Sequence, residues 1–306
     1  MDENQAKISA LFTVDAVMFG TDETILDMKL SDGFSFVRRS LIPMVDNLDE
    51  LFDTNAMGLR RDYEAARIDG LLDVVCVTKC VHVEVSPSEF DDCFRSLSDI
   101  NLLSLDNQIR VIRLLAECPL RCKKIMFRLS GDTHSHNHLF HVNESMTTRT
   151  ISKFHCSKDA IEILNQRMEE IKLPFSDLVL NTCHLHYDLS YHQNRYIAMI
   201  LLVAALEMLY LESESGKKDK LSKRCSIFLF NNRVDVLNCY NRLKSVYKKR
   251  SQFVHEGTFE DITDDDILFL RVCVRESLLR IKNNTMNKKE RIKHIRGQVE
   301  AFGIWE

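Results

Sequence analysis

Glycine and proline are scarce, at 9 and 4 residues in a chain of 306. That scarcity excludes extended disordered or linker-like tracts. No low-complexity segment stands out, and no period of roughly 20–50 residues recurs, so a repeat array is excluded as well. Long hydrophobic runs are also missing. The most apolar stretch, Ile197 to Leu211, is interrupted by Glu207 and falls short of the ~20 residues a membrane helix needs. It reads as a buried core or interface helix, and no membrane partner is expected. The chain begins Met1-Asp2-Glu3-Asn4, polar and acidic, whereas a secretory signal opens basic and then turns apolar.

What is present describes a globular protein. Hydrophobic residues make up 45% and charged residues 28%, enough to build a substantial core. At 306 residues the chain is long for one ordinary domain and comfortable for two. Its ten cysteines are scattered singly, so they are expected to be reduced, mostly buried and housed in the cytoplasm. Cys118-Pro119-Leu120-Arg121-Cys122 has three residues between its thiols and no second pair, which points to a structural role.

The net charge of −4 hides an asymmetry. Residues 1–100 hold 20 acidic and 9 basic side chains, a net of −11, so residues 101–306 carry +7. Within that half, Lys217 to Arg250 contains 11 basic residues against Asp219 and Asp235. Such density attracts phosphate backbones, although a solvated helix face has the same composition.

Patterning divides the chain into an α+β arrangement: a mixed α/β region over 1–185 and an all-α bundle over 186–306. In the first, Leu72 to Val85 reads as a strand, with valines at 75, 77, 81, 83 and 85 ended by Ser86-Pro87-Ser88. Ile125 to Leu129 and Leu139 to Val142, around Ser130-Gly131-Asp132, suggest a hairpin. Helices are expected at Ile100 to Leu115 and at Lys158 to Ile171, the latter capped by Ser157. From His192 onward helix follows helix. Ile197, Ile200, Leu201, Ala204 and Met208 form one face. Further helices are predicted at Lys218 to Phe230, Val234 to Val254, Thr263 to Ile281 and after Asn287, with Thr263 and Asp266 as a capping signature.

The chemistry concentrates at Tyr247-Lys248-Lys249-Arg250-Ser251-Gln252-Phe253-Val254-His255-Glu256-Gly257. Histidine exchanges protons near neutral pH. Arginine grips a phosphate through paired hydrogen bonds and stabilises charge developing on its oxygens. RNA supplies its own nucleophile, the 2′-hydroxyl, so these groups suffice without a metal or other cofactor. On an ideal helix the two side chains point about 140° apart. They share a site only if the helix kinks or ends near His255, or if a second chain completes it. Gly257 favours a helix end there. Plainer roles are open too: His255 as a C-terminal cap, Glu207 in a structural ion pair, and Arg250 as one charge of a basic face. The histidines at 134, 136 and 138 would line one strand face, joined by His184 and His186. Without a completed ligand set the segment reads as a polar turn, and no metal is expected.

At these residues the sequence resembles the HEPN superfamily, in its Apea-like branch, over about residues 190–285. Three features occur in order: the apolar helix Tyr196 to Glu207 with its glutamate; Lys220-Leu221-Ser222-Lys223-Arg224-Cys225 opening the next helix; and Arg250 to His255, which looks like the family's Arg-x4–6-His motif. The resemblance implies a helical bundle that dimerises so that two Arg–His pairs face one cleft and cut RNA without metal, often in phage defence or as a toxin. It makes His255 the general acid/base and Arg250 the phosphate clamp. Ser251 falls where active members more often have Asn, Asp or His, and Glu207 would orient Arg250 or its helix. Tyr247, Lys248 and Lys249 would meet the substrate. Members silenced by nucleotidyl transfer carry a Tyr where this chain has Gly257, so that control is not expected. The expectation is a homodimeric RNA endonuclease whose amino-terminal region takes a regulatory ligand or partner. The alternative is a non-catalytic RNA- or protein-binding module.

Overall fold

The structure, a computed structural model, describes residues 7–19, 21–40, 73–118, 120–141, 154–212, 215–257, 261–283 and 286–303. The chain divides into two compact units, Met1–Ile171 and Lys172–Glu306. The boundary expected after residue 185 falls inside a helix of the second unit.

Among the described residues, the first unit holds five strands in one antiparallel sheet, ordered β2-β3-β1-β4-β5. They are β1 (Ile8–Phe19), β2 (Ser35–Ser40), β3 (Asp73–Val85), β4 (Arg121–Gly131) and β5 (Ser135–His141). The valine-rich strand and the hairpin are present, but β4 extends through Ser130 and Gly131, and β5 starts four residues before the expected Leu139, so most of the segment read as a polar turn is strand. The middle strand β1 does not announce itself: its buried positions are Ala10, Phe12, Val14 and Ala16, and two alanines weaken the alternation. Leu72 and Val142 lie outside the described residues.

One helix, α1 (Phe90–Ala116), serves this sheet. It starts ten residues before the expected Ile100. Asp91 and Asp92 occupy its first turn, where carboxylates complement the positive helix end. Phe90 and Phe94 then supply the inward face, and Phe12 meets Phe94 at 6.4 Å and Phe127 at 6.1 Å between ring centroids. Helix α2 (Lys158–Met168) is capped by Ser157, which accepts a hydrogen bond from the Ala160 amide. Asn165 at its end accepts from the Lys29 amide at 2.8 Å.

The second unit is helical among its described residues: α3 (Leu178–Leu189), α4 (Arg195–Tyr210), α5 (Lys217–Leu229), α6 (Arg233–Glu256), α7 (Asp264–Ile281) and α8 (Lys288–Phe302). Helix α3 was not expected, because buried His184, Tyr187 and Asp188 blur its apolar pattern. The apolar stretch becomes α4, in contact with α3, α5, α6 and α7. It buries Ala198, Met199, Leu202, Val203, Ala205, Leu206, Leu209 and Tyr210, whereas the face singled out in the sequence is the outer one: Ile200, Leu201, Ala204 and Met208 are half-buried and Ile197 is exposed. No described helix is long and apolar enough to cross a membrane. Side-chain caps define the ends: Asn232 opens α6, and reciprocal capping boxes open α7 (Thr263 with Asp266) and α8 (Asn287 with Glu290).

Candidate functional site

The site is built on the last two turns of α6 and the helices that hold it. Helix α6 runs unbroken to Glu256, where Gly257, at φ 71°, donates its N–H to the Phe253 carbonyl and closes the helix. Arg250 and His255 therefore sit on one continuous helix, ~7.5 Å apart along its axis and ~140° apart around it. One chain does not aim both side chains into one cleft. Their surroundings differ accordingly: His255 is exposed, and Arg250 is half-buried.

Arg250 carries an unmet bonding requirement. Its Nε is buried and has no hydrogen-bond partner among the described residues. Its guanidinium carbon stands 6.0 Å from the centroid of the Tyr247 ring. Tyr247 is fixed in turn, its hydroxyl donating to Glu207 Oε1 on α4 at 2.6 Å. Burial and the adjoining Glu207 carboxylate push the Tyr247 phenol up to about 12, so it remains a neutral donor. Glu207 thus reaches the Arg250-bearing helix through Tyr247. The Tyr196 ring, on α4, lies 5.7 Å from that of Phe253 and gives the end of α6 a second foothold.

The cations beside Arg250 are unequally available. Lys248 is exposed. Lys249 reaches Asp266 Oδ2 on α7 at 2.8 Å, and that oxygen also accepts from the Thr263 amide and hydroxyl. Burial alone would raise the Asp266 carboxyl, but the bonds from Lys249 and Thr263 outweigh it and hold the pKa below the ordinary value. Elsewhere in the basic stretch, Lys223 pairs with Asp219 at 2.8 Å and Lys244 bonds Tyr240 at 2.9 Å. Arg242 donates to the Asp265 carbonyl, and buried Arg224 donates to the Tyr210 carbonyl. Much of the charge density seen in the sequence is thus spent on internal pairing. Ser251 is half-buried.

The histidine-rich segment forms the edge strand β5. His136 rests on Phe90 and Phe94 and bonds Asp91 through Nε2, and it lines a cleft against α1 with His138. His184 and His186 belong to α3 in the other unit, where His184 meets the Phe175 ring and His186 faces the Thr182 carbonyl. Among the described residues no group of three or more His, Cys, Asp or Glu side chains could hold a metal ion. All ten cysteines are free, eight of them buried.

The cleft includes Asp91, Phe94, Arg95, Ser98 and Asp99 of α1, residues that sequence reasoning missed. Their signal was the helical spacing i, i+3, i+4, i+7, i+8, in turns that precede the expected helix start.

No known family matches this chain, and neither a curated protein nor a solved structure is significantly similar to it.

Proposed function

We propose that this protein is a metal-independent RNA endonuclease whose active site forms when two copies bring their Arg250 and His255 side chains to one cleft. The observation that carries this reading is Arg250: a half-buried guanidinium with an unpartnered Nε, on a helix tied to α4 through the Tyr247–Glu207 bond. An arginine so placed fits a phosphate that arrives from outside. His255 then takes the proton of the RNA 2′-hydroxyl as that oxygen attacks phosphorus. The 5′-oxygen leaves with a proton from the partner's His255, giving a 2′,3′-cyclic phosphate and a free 5′-hydroxyl. Arg250 stabilises the charge gathering on the non-bridging oxygens. The two copies are needed because a continuous α6 keeps the pair apart within one chain. The Arg-x4-His resemblance to HEPN ribonucleases supports the same roles, and the ten free thiols suit a reducing cytoplasm.

The test is cleavage of a mixed RNA pool in excess EDTA, beside His255→Ala. The expected loss is about 10²–10⁴-fold, the range for a general acid/base, with folding and oligomeric state unchanged. Cleavage that persists in the variant sinks the assignment.

Two observations favour a second reading, a non-catalytic RNA- or protein-binding module: the exposure of His255 and its divergence from Arg250 on a continuous helix. In that case His255→Ala is silent. Replacing exposed Lys248 with Glu then weakens RNA retention and flattens its salt dependence.

A further inference from the structure

The cleft between α1 and β5 has no part in the proposed RNA chemistry, and its lining is of a different kind. It is an open hollow of about 380 Å³. One wall is a single face of α1: Asp91, Phe94, Arg95, Ser98 and Asp99. The other is His136 and His138 of β5. Besides the two imidazoles, the lining carries two carboxylates, Asp91 and Asp99, and one guanidinium, Arg95. Arg95 lies 3.7 Å from Asp92, a carboxylate outside the lining.

Ser98 supplies an independent sign of a missing ligand. Its residue is only 9% exposed, and its Oγ is buried without a hydrogen-bond partner among the described residues. Buried serines elsewhere in this protein avoid that situation. Ser222, Ser226 and Ser277 each donate to the carbonyl four residues back, at 2.7, 2.7 and 2.6 Å. Ser98 stands in the same helical setting and makes no such bond. A buried unpaired hydroxyl is a standing penalty, and this one lines the cleft.

We propose that the cleft binds a small linear organic cation of the polyamine type. Asp91 and Asp99 are eight residues apart on α1, so their carboxylates are separated by ~12 Å along the helix axis, the reach of an extended triamine. Terminal ammonium groups meet those two carboxylates. The alkyl chain lies along Phe94, whose ring face attracts cations, and Ser98 Oγ, turned toward the cleft by a rotation about χ1, accepts from the central amine. Asp91 is held for this role by its bond to His136 at 2.5 Å. An anionic ligand would face two carboxylates, with Arg95 already beside Asp92. The proposal is independent of the ribonuclease reading and survives or fails without it.

The test is isothermal titration of the full chain, free of RNA, with spermidine, and in parallel with adenosine monophosphate as an anionic control. Spermidine is expected to bind one-to-one, and the nucleotide not to bind. Asp99→Asn, a change at an exposed position, should weaken spermidine about ten-fold or more, the scale of one charge-assisted hydrogen bond. Ser98→Ala should weaken binding several-fold while leaving the melting temperature of the free protein equal or higher, because it removes an unpaired hydroxyl. A purely structural Ser98 would instead lower the melting temperature and leave affinity alone. No heat with millimolar spermidine, an affinity unmoved by Asp99→Asn, or preferred binding of the nucleotide would each overturn the proposal.

Discussion

The two units solve the problem of burying a core in different ways, and they leave different chemistry unsatisfied. In the sheet unit, alternate residues of β1 part company: Ala10, Phe12, Val14 and Ala16 are buried, whereas Leu11, Thr13 and Asp15 are half-buried. The strand period of two gives that alternation, and it breaks at Cys76–Val77 of β3 and at Ile125, Met126 and Phe127 of β4, where successive residues are buried. In the helical unit, α4 buries half of its residues and leaves Ile200, Leu201, Ala204 and Met208 half-buried on the other side, and polar groups of the bundle meet one another. Tyr210 bonds Ser277 at 2.7 Å, and Arg271 donates to the Ser190 carbonyl at 2.6 Å. Several buried polar atoms among the described residues have no hydrogen-bond partner, and two of them belong to the proposed sites. In the helical unit one is a cation, Arg250; in the sheet unit one is a hydroxyl, Ser98, between carboxylates. The first suits an anionic partner and the second a cationic one, in line with the acidic start of the chain and its basic remainder.

The contrast in packing is the easiest to break by mutation. Leu202 of α4 is fully buried, while Leu103 of α1 is 61% exposed. Leu202→Ala should cost about 2–5 kcal/mol by lost burial and cavity formation, and Leu103→Ala less than about 0.5 kcal/mol. Denaturant unfolding of both variants would check this. Equal losses would mean that Leu103 is covered in the folded protein.

The next effect concerns the tie between α4 and α6. Tyr247→Phe removes the bond to Glu207 and leaves a half-buried carboxylate without that donor, a loss of about 1–3 kcal/mol. The same bond gives an alkaline signature. A phenol whose folded pKa lies above its unfolded value contributes stability that is complete below about pH 10 and disappears as the pH rises through about 12. The wild type should therefore lose stability in that interval relative to Tyr247→Phe, and parallel pH profiles for the two would remove Tyr247 as the cause.

How far the sequence foretold these features depended on local chemistry. The ends of α6, α7 and α8 were legible because Asn232, Thr263, Asn287 and Gly257 act within one turn of themselves. Strand β3 was legible because its valines recur at period two. Strand β1 was not, since alanine at positions 10 and 16 is as much a helix residue as a strand one. Helix α3 was hidden by its buried His184 and Asp188. At the candidate site, the sequence named Glu207, Tyr247 and Arg250 but not the order in which they touch. It also counted Lys223, Arg224, Arg242, Lys244 and Lys249 as a cationic face; Lys223 and Lys244 have partners four residues back on their own helices, whereas the partners of Arg224, Arg242 and Lys249 are supplied only by the fold.

Asp266 offers a smaller and opposite pH effect. Its folded pKa is depressed below 3.8, so its contribution is present above that value and lost as the pH falls through and below it. Asp266→Asn removes the Lys249 ion pair and weakens the capping box, at a cost of about 1–2 kcal/mol near neutrality. Thermal melts across pH 2–7 should show the wild type converging on the variant at the acid end. Parallel curves throughout would place the acid sensitivity in other carboxylates.

The smallest expected change sharpens the reading of the helix end itself. Gly257 sits at φ 71° with no atom within 4 Å of where a Cβ would stand. Gly257→Ala therefore meets only the backbone penalty of the left-handed region, about 1 kcal/mol, and Gly257→Asn meets less. Global stability should register either change only weakly, because a last helical turn can open without the rest of the protein unfolding. If the proposed ribonuclease reading holds, cleavage is a more sensitive readout, since His255 stands two residues before the glycine and a loosened turn lets its imidazole wander. RNA cutting should fall in the order wild type, Asn, Ala, with Arg250-dependent RNA binding unchanged. If cutting is identical in all three, the geometry of this helix end has no bearing on proton transfer at His255.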